Sequence, residues 1–288
     1  MRSKVYFCKD LTPETVLKMY KLLGKTLDGR VAIKVHSGEE GNPNFLRPPF
    51  WKPVVDFVGG TIVECNTAYE GARNTAERHI ALFKKHGWSD LFPIDLLDAQ
   101  GPDLELPIPH GVRIKKTFVG KDIANYDSAL VLSHFKGHPM GGFGGALKQL
   151  SIGFASSYGK GYIHGVGDPQ HFWDRDQDQF LESMADAAWA VANYFDGNAV
   201  YINVMKNLSV DCDCCDHTAA LPCMGDVGIL VSLDPVAIDQ ACVDLVYAST
   251  DPGKADLIER IESRHGIHTL EMAEKLGIGT REYELLPV

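Results

Sequence analysis

The sequence has no long hydrophobic run: nothing in its 288 residues approaches the roughly 20 consecutive apolar residues of a membrane-spanning helix. Its opening, MRSKVYFCKD, lacks an apolar stretch of signal-peptide length, so the expected location is the cytoplasm, with no membrane partner. It has no basic stripe. Its 28 basic against 38 acidic residues leave a net charge of −10, which repels long polyanions, so no nucleic-acid partner is expected. Internal repeats, low-complexity tracts and clean interdomain linkers are missing. So is GxxxxGK[ST], which removes the ordinary phosphate-cradling loop. Hydrophobic residues make up 45% and charged residues 23%, which excludes a disordered chain.

A chain of this length can bury roughly 75% of its unfolded surface. Apolar runs predict strands at Val5–Cys8, Arg30–His36, Thr61–Cys65, Val112–Thr117, Ala129–His134, Ala199–Val204 and Gly228–Ser232. Between them, helical spacing predicts Thr12–Leu23 with Pro13 in its first turn, Trp51–Val58, and Arg73–His86 ended by Gly87. Further helices are expected at Gln177–Tyr194, Pro235–Ala248 with Asp234 as N-cap, Asp256–His265 and Thr269–Leu276. Alternating strands and helices give an α/β fold, a mostly parallel doubly wound sheet with helices on both faces. It forms one domain over residues 1–288, or two intimate lobes, and a homo-oligomer stays open. In such sheets ligands bind beyond the carboxyl ends of the strands. Four of those ends carry polar or metal-binding residues, at His36–Glu39, Cys65–Gly71, the segment after Leu132 and the segment after Val204, so one composite site is expected.

Two of these segments are dense in chemistry. Residues 133–153, SHFKGHPMGGFGGALKQLSIG, hold six glycines between Gly137 and Gly153. Glycine lets a ligand approach the backbone, and a helix beginning within Phe143–Leu150 would aim amides at an anion. His134 and His138 flank Lys136, and Lys148 and His164 follow. The expected catalytic residues are therefore His134, His138 and Lys148, with Gly142, Gly144 and Gly145 against a cofactor; the plainer alternative is a tight turn with solvated histidines. In the second segment Cys212, Cys214, Cys215 and Cys223 fall within twelve positions among Asp211, Asp213 and Asp216. Four thiolates suit an iron–sulfur cluster such as [4Fe–4S], or a transition metal (zinc, iron or nickel). The spacing C-x-C-C-x7-C matches neither a zinc ribbon nor a ferredoxin, and reduced structural thiols or a redox-active disulfide are the alternatives. Adjacent Cys214 and Cys215 point apart, so three of the four would share one centre, with His217 or an aspartate completing it. Cys8, Cys65 and Cys242 read as core residues. Asn66, Tyr69 and Arg73 form a polar patch in which Asn66 and Arg73 would bind substrate, Arg73 clamping a carboxylate or phosphate; a surface salt bridge is the alternative. His79 and His86 lie on an amphipathic helix and are not expected to be ligands.

The stretches CNTAYEGAR, SHFKGHPMGGFGGALKQLSIG, KNLSVDCDCC and GILVSLDPVAIDQACVDLV resemble the family called domain of unknown function 362 over most of the chain. Many of that family carry an inserted ferredoxin-like CxxCxxCxxxCP segment, which this chain lacks. A more distant similarity is to the nickel-dependent lactate racemases, where a histidine precedes G-F-x-G-G-x-K. Here Lys148 lies ten residues after His138, and His164 sixteen after Lys148. The resemblance implies an acid/base role for His138, a cofactor or anion anchor at Lys148, and a metal or cofactor contact at His164. Ala146 stands where the racemases have a glycine, and their GTHR-like turn is absent. The combined expectation is a metal- or iron–sulfur-dependent enzyme, an oxidoreductase or racemase-like metalloenzyme, moving electrons or protons on a small anionic ligand. A non-catalytic metal or cluster carrier, or a racemase-like enzyme with a structural cysteine site, are the alternatives. A carrier would expose its cysteines away from any pocket; an enzyme would place them with His138 and Lys148.

Overall fold

A computed structural model describes residues 2–288. The chain runs through β1 (Ser3–Cys8), α1 (Pro13–Leu22), β2 (Val31–Lys34), α2 (Pro48–Val58), β3 (Thr61–Glu64), α3 (Ala76–Lys85) and β4 (Ile94–Leu96). The ribbon β5 (Leu104–Pro107) and β6 (Lys116–Val119) follows, then β7 (Ser128–His134), the short pair β8 (Lys136–His138) and β9 (Gly142–Gly144), and α4 (Ala146–Lys148), which continues as a π-turn over Gln149–Gly153. The last part comprises α5 (Ser157–His164), α6 (Gln177–Tyr194), β10 (Ala199–Met205), β11 (Gly228–Ser232), α7 (Pro235–Ala248), α8 (Lys254–Ser263), α9 (Ile267–Lys275) and β12 (Tyr283–Pro287).

Eight strands form one sheet in the order β12-β1-β11-β10-β7-β2-β3-β4. Ala129 of β7 sits opposite Ala199 of β10 and Ala32 of β2, and these central pairings are parallel. Only β11 runs against its neighbours β10 and β1. The reason is local: residues 206–227 contain no crossover helix, so the chain turns back beside β10 instead of crossing to a parallel position. Successive residues of the central strands feed opposite cores. Ala32, Ala129 and Val131 join the core with α6 and α7, whereas Val31, Ile33, Leu130 and Leu132 pack with Val16, Met19, Trp51, Val54 and Phe83 from α1, α2 and α3. The expected α/β architecture, mostly parallel with helices on both faces, is therefore present. No helix among the described residues is long and apolar enough to cross a membrane.

Three local expectations change. The strand expected at Val112–Thr117 starts only at Lys116, because the amides of Val112, Arg113 and Ile114 donate to the Asp186 carboxylate at 2.7, 2.7 and 2.9 Å, leaving no ladder for them to join. The helix expected from Phe143 is delayed: Gly142–Gly144 pairs with Lys136–His138 as a hairpin. The helix expected from Arg73 begins at Ala76, because Thr75 caps it with its hydroxyl on the Arg78 amide (3.3 Å), which leaves Arg73 outside the helix. Asp234 does cap α7, accepting from the amides of Val236 and Ala237 at 2.9 and 3.0 Å.

Candidate functional site

The carboxyl ends of β2, β3, β7 and β10 converge on one cavity of about 290 Å³. The residues after β2 and β3, the hairpin after β7, the start of the π-turn and the cysteine segment after β10 all contribute to its wall. Lys34, Arg73, Lys136, Lys148 and Lys160 line it, with His36, His138 and His164 and with Cys214 and Cys215. Phe172 and the exposed Trp173 form part of its rim. His138, Lys148, Arg73 and the cysteine segment thus meet around a single space.

Three of the five cations have carboxylate partners. Arg73 Nε donates to Glu39 at 3.0 Å and its guanidinium to the Tyr69 hydroxyl at 3.0 Å. Lys136 pairs with Asp213 at 3.0 Å, and Lys34 stands 3.7 Å from Glu64. Lys160 donates to the carbonyl of Ala155 at 2.6 Å. Lys148 has no hydrogen-bond or ion-pair partner among the described residues; it meets only burial and like charges. Burial, reinforced by Lys136, Arg73, Lys160 and Lys34, pushes Lys148 down to about 7. Burial also carries Lys34 down to about 8, although Glu64 pulls the other way. A surplus of cations with one amine unpaired has the chemistry to receive an anion.

The backbone sets the state of the histidines. His138 Nδ1 accepts the amides of Met140 and Gly141 at 3.1 and 2.8 Å. Two donors on Nδ1 place the ring proton on Nε2, which faces Cys214 Sγ at 3.7 Å. Burial, then Lys148, His164, Lys136 and His36, hold His138 far below its ordinary value, so the ring is neutral. His164 is sandwiched between Phe172 and Phe180, with ring centroids at 4.3 and 4.5 Å. Burial and the nearby Lys148 and Lys160 push it down to about 3, and its Nδ1 is buried without a partner. His134 lies at the cavity wall, but both its nitrogens face acceptors: Nδ1 the Asp213 carboxylate at 2.9 Å, Nε2 the Lys206 carbonyl. Both ring nitrogens are thus engaged by oxygens, and His134 and Asp213 hold one another in place.

The loop glycines divide. Gly144 and Gly145 line the cavity. A Cβ at Gly145 would lie 2.3 Å from Asp239 Oδ1, since Asp239 closes over the amides of Ala146 and Leu147 at 2.8 and 2.9 Å. Gly142 faces elsewhere: with φ +79 it packs against Gly266, so its part is structural. Asn66 is likewise outside the cavity lining, its amide and side chain directed at Asp98 (2.9 and 3.1 Å) and its carbonyl oxygen 3.2 Å from His79 Nδ1. Arg73 lines the cavity, buried against Glu39 rather than in a surface salt bridge.

The four clustered cysteines are not one ligand set. Cys212 and Cys214 are joined as a disulfide across two positions. Cys215 lines the cavity as a free thiol. Cys223 lies apart, its thiol donating to the Leu208 carbonyl at 3.4 Å, and His217 is exposed beside Asp216. A cluster on all four sulfurs does not fit this arrangement. A ring nitrogen of His138 and the sulfurs of Cys212 and Cys214 do lie within 4.8 Å of one another, a group in which a metal can bind once the disulfide is open. Asp213, one of the aspartates the sequence offers as a ligand, is instead the ion-pair partner of Lys136 and His134. Burial alone would raise it, but His134 and Lys136 outweigh burial and hold it well below the carboxylate range. Lys34 and Glu64 sit in stretches that read as strand and Asp239 in one that reads as helix, while no predicted element covers Lys160; for the two strand residues the available signal is a charge inside an otherwise apolar strand.

Comparison with the curated proteins gives no match. Among solved structures the fold is similar to the lactate racemase apoprotein from Thermoanaerobacterium thermosaccharolyticum, with 14% identity, a TM-score of 0.42, 70% of this chain and 51% of that chain covered. It is also similar to a protein from Thermotoga maritima determined as a structural-genomics target, with 10% identity, a TM-score of 0.46, 93% of this chain and 60% of that chain covered. This chain therefore spans about half the length of the racemase. The profile of the family described as Domain of unknown function (DUF362) matches residues 31–244, and the chain belongs to that family.

Proposed function

We propose that this protein is an enzyme that takes a small anionic molecule into the cationic cavity and transfers protons on it. The observation that carries the reading is Lys148, an unpaired amine held near neutrality among four other cations at the strand ends. A group with a pKa near the working pH is the efficient proton carrier. Arg73, Lys136 and Lys160 would bind and orient the anion. His138, neutral and with its proton on Nε2, serves as a hydrogen-bond donor to developing negative charge; Lys148, protonated once the anion is bound, is the proton donor. Cys214 shares the cavity wall with both, which favours an enzyme over a carrier with exposed thiols. Isothermal titration against phosphate and a set of small mono- and dicarboxylates tests the reading. At least one should bind wild type and lose affinity at least tenfold in Lys148→Met. Affinity unchanged in that variant, or no binding by any of the anions, would sink it.

A second reading follows from the proximity of His138, Cys212 and Cys214. With the disulfide reduced, the two thiolates would hold a soft transition ion beside the cavity, in keeping with the resemblance to nickel-dependent racemases. Elemental analysis of protein purified without oxygen decides it: about one metal per chain, lost in Cys212→Ser, supports this reading, and metal-free protein excludes it.

A further inference from the structure

We infer that Cys212 and Cys214 form a thiol–disulfide exchange couple opening into the cavity, with small anionic thiols and their disulfides as the exchanging partners. The choice of anionic partners rests on the proposed anion reading; the couple itself does not.

The bond links residues only two apart. Closing so small a loop removes little entropy from the unfolded chain, so the bond is a poor structural staple. The loop is held without it. Asn42 Nδ2 donates to the carbonyls of Cys212 and Cys215 at 3.3 and 2.8 Å. The Tyr69 hydroxyl donates to the Cys214 carbonyl at 3.3 Å, and Asp213 is fixed by His134 and Lys136. The bond can therefore open while the loop stays in place.

The two sulfurs are not equivalent. Cys214 lines the cavity, whereas Cys212 is 3% exposed and lies behind it. Each has an N–H donor: His138 Nε2 at 3.7 Å from Cys214 Sγ, and the Cys214 amide at 3.2 Å from Cys212 Sγ. Each donor offers a hydrogen bond to a thiolate formed at its sulfur. An entering thiol RSH, as thiolate, attacks Cys214 Sγ. A bond forms between R–S and Cys214; the Cys212–Cys214 bond breaks, and its electron pair goes to Cys212 Sγ, facing the Cys214 amide. The proton lost by RSH ends on Cys212. A second RSH repeats the attack on the entering sulfur, releasing RSSR and leaving two protein thiols, so two thiols are oxidised as one disulfide is reduced. The reverse sequence reduces an anionic disulfide.

The test uses glutathione, which is anionic, and cysteamine, which is cationic, compared at equal thiolate concentration, with differential alkylation and peptide mass spectrometry. Glutathione should open the bond at least tenfold faster than cysteamine, and Lys148→Met should shrink that ratio. In Cys212→Ser, oxidised glutathione should be trapped on Cys214; in Cys214→Ser, the buried Cys212 should react at least tenfold more slowly. Should a serine variant fail to fold, the wild-type alkylation pattern answers alone. No exchange at Cys212 and Cys214, or exchange no faster than at Cys223, overturns the couple even where anion binding is intact. Equal rates with the two thiols overturn the anionic partners and speak against the anion reading.

Discussion

At Lys148 the amine and the ammonium are both well populated at pH 7, because burial and four cationic neighbours favour the neutral form. An anion in the cavity supplies the missing counter-charge and raises that pKa. At pH 8 the free protein has roughly a tenth of Lys148 protonated, so anion binding there takes up a proton. Affinity should fall as pH rises from 6.5 to 8.5. Calorimetry in buffers of different ionisation enthalpy should show the uptake in wild type and none from this residue in Lys148→Met; equal uptake in both would place the titrating group elsewhere. His138 behaves oppositely. Its pKa held far below the ordinary range, it should show the neutral Nε2–H tautomer by nitrogen NMR and no titration near its ordinary value of 6.5. The ten-residue spacing of these two, and through the resemblance an anion anchor at Lys148, are legible in the sequence; which of the two carries the proton is not. That depends on the Met140 and Gly141 amides and on Lys34, Arg73 and Lys160, brought to the cavity from other elements or, for the two amides, by the turn that closes the β8–β9 hairpin.

Among the elements, the short α4 and its π-turn depend on a residue far along the chain. Asp239, on α7, accepts from Ala146 and Leu147 and from Asn203 Nδ2 at 2.7 Å. Burial raises its pKa to about 6. Asp239→Ala strands buried donors and should cost about 2–3 kcal/mol of stability, read by urea denaturation, and should also remove anion binding by releasing Lys148. Full anion affinity in a destabilised variant would show that Lys148 is held some other way. Long apolar or amphipathic elements such as Gln177–Tyr194, Pro235–Ala248 and Gly228–Ser232 were read to the residue, since periodicity and caps fix them locally. The three-residue β4, the edge strand β12 and the glycine-containing α5 were not, because their formation depends on neighbours: β4 on β3, β12 on β1.

For the whole molecule, gathering cations at the strand ends opposes stability. The unfolded chain holds protons on Lys148 and Lys34 up to their ordinary range near 10.5, whereas the folded chain releases them near 7 and 8. Between these limits the unfolded state binds more protons, so stability from these groups rises with pH from about 7 to 10. Lys148→Met should therefore raise stability at pH 7 by about 1–3 kcal/mol while weakening anion binding at least tenfold, with a shallower rise of melting temperature toward pH 9; a destabilised variant would contradict this. The arrangement of the cavity rim has an optical consequence. The protein has four tryptophans, of which Trp51 and Trp88 are buried and Trp189 half-buried, whereas Trp173 is 71% exposed on that rim. Its emission should be the reddest of the four and the most readily quenched by iodide. A ligand that fills the cavity should shift that emission to the blue and shield it, so intrinsic fluorescence becomes a label-free gauge of occupancy, and Trp173→Phe should silence it.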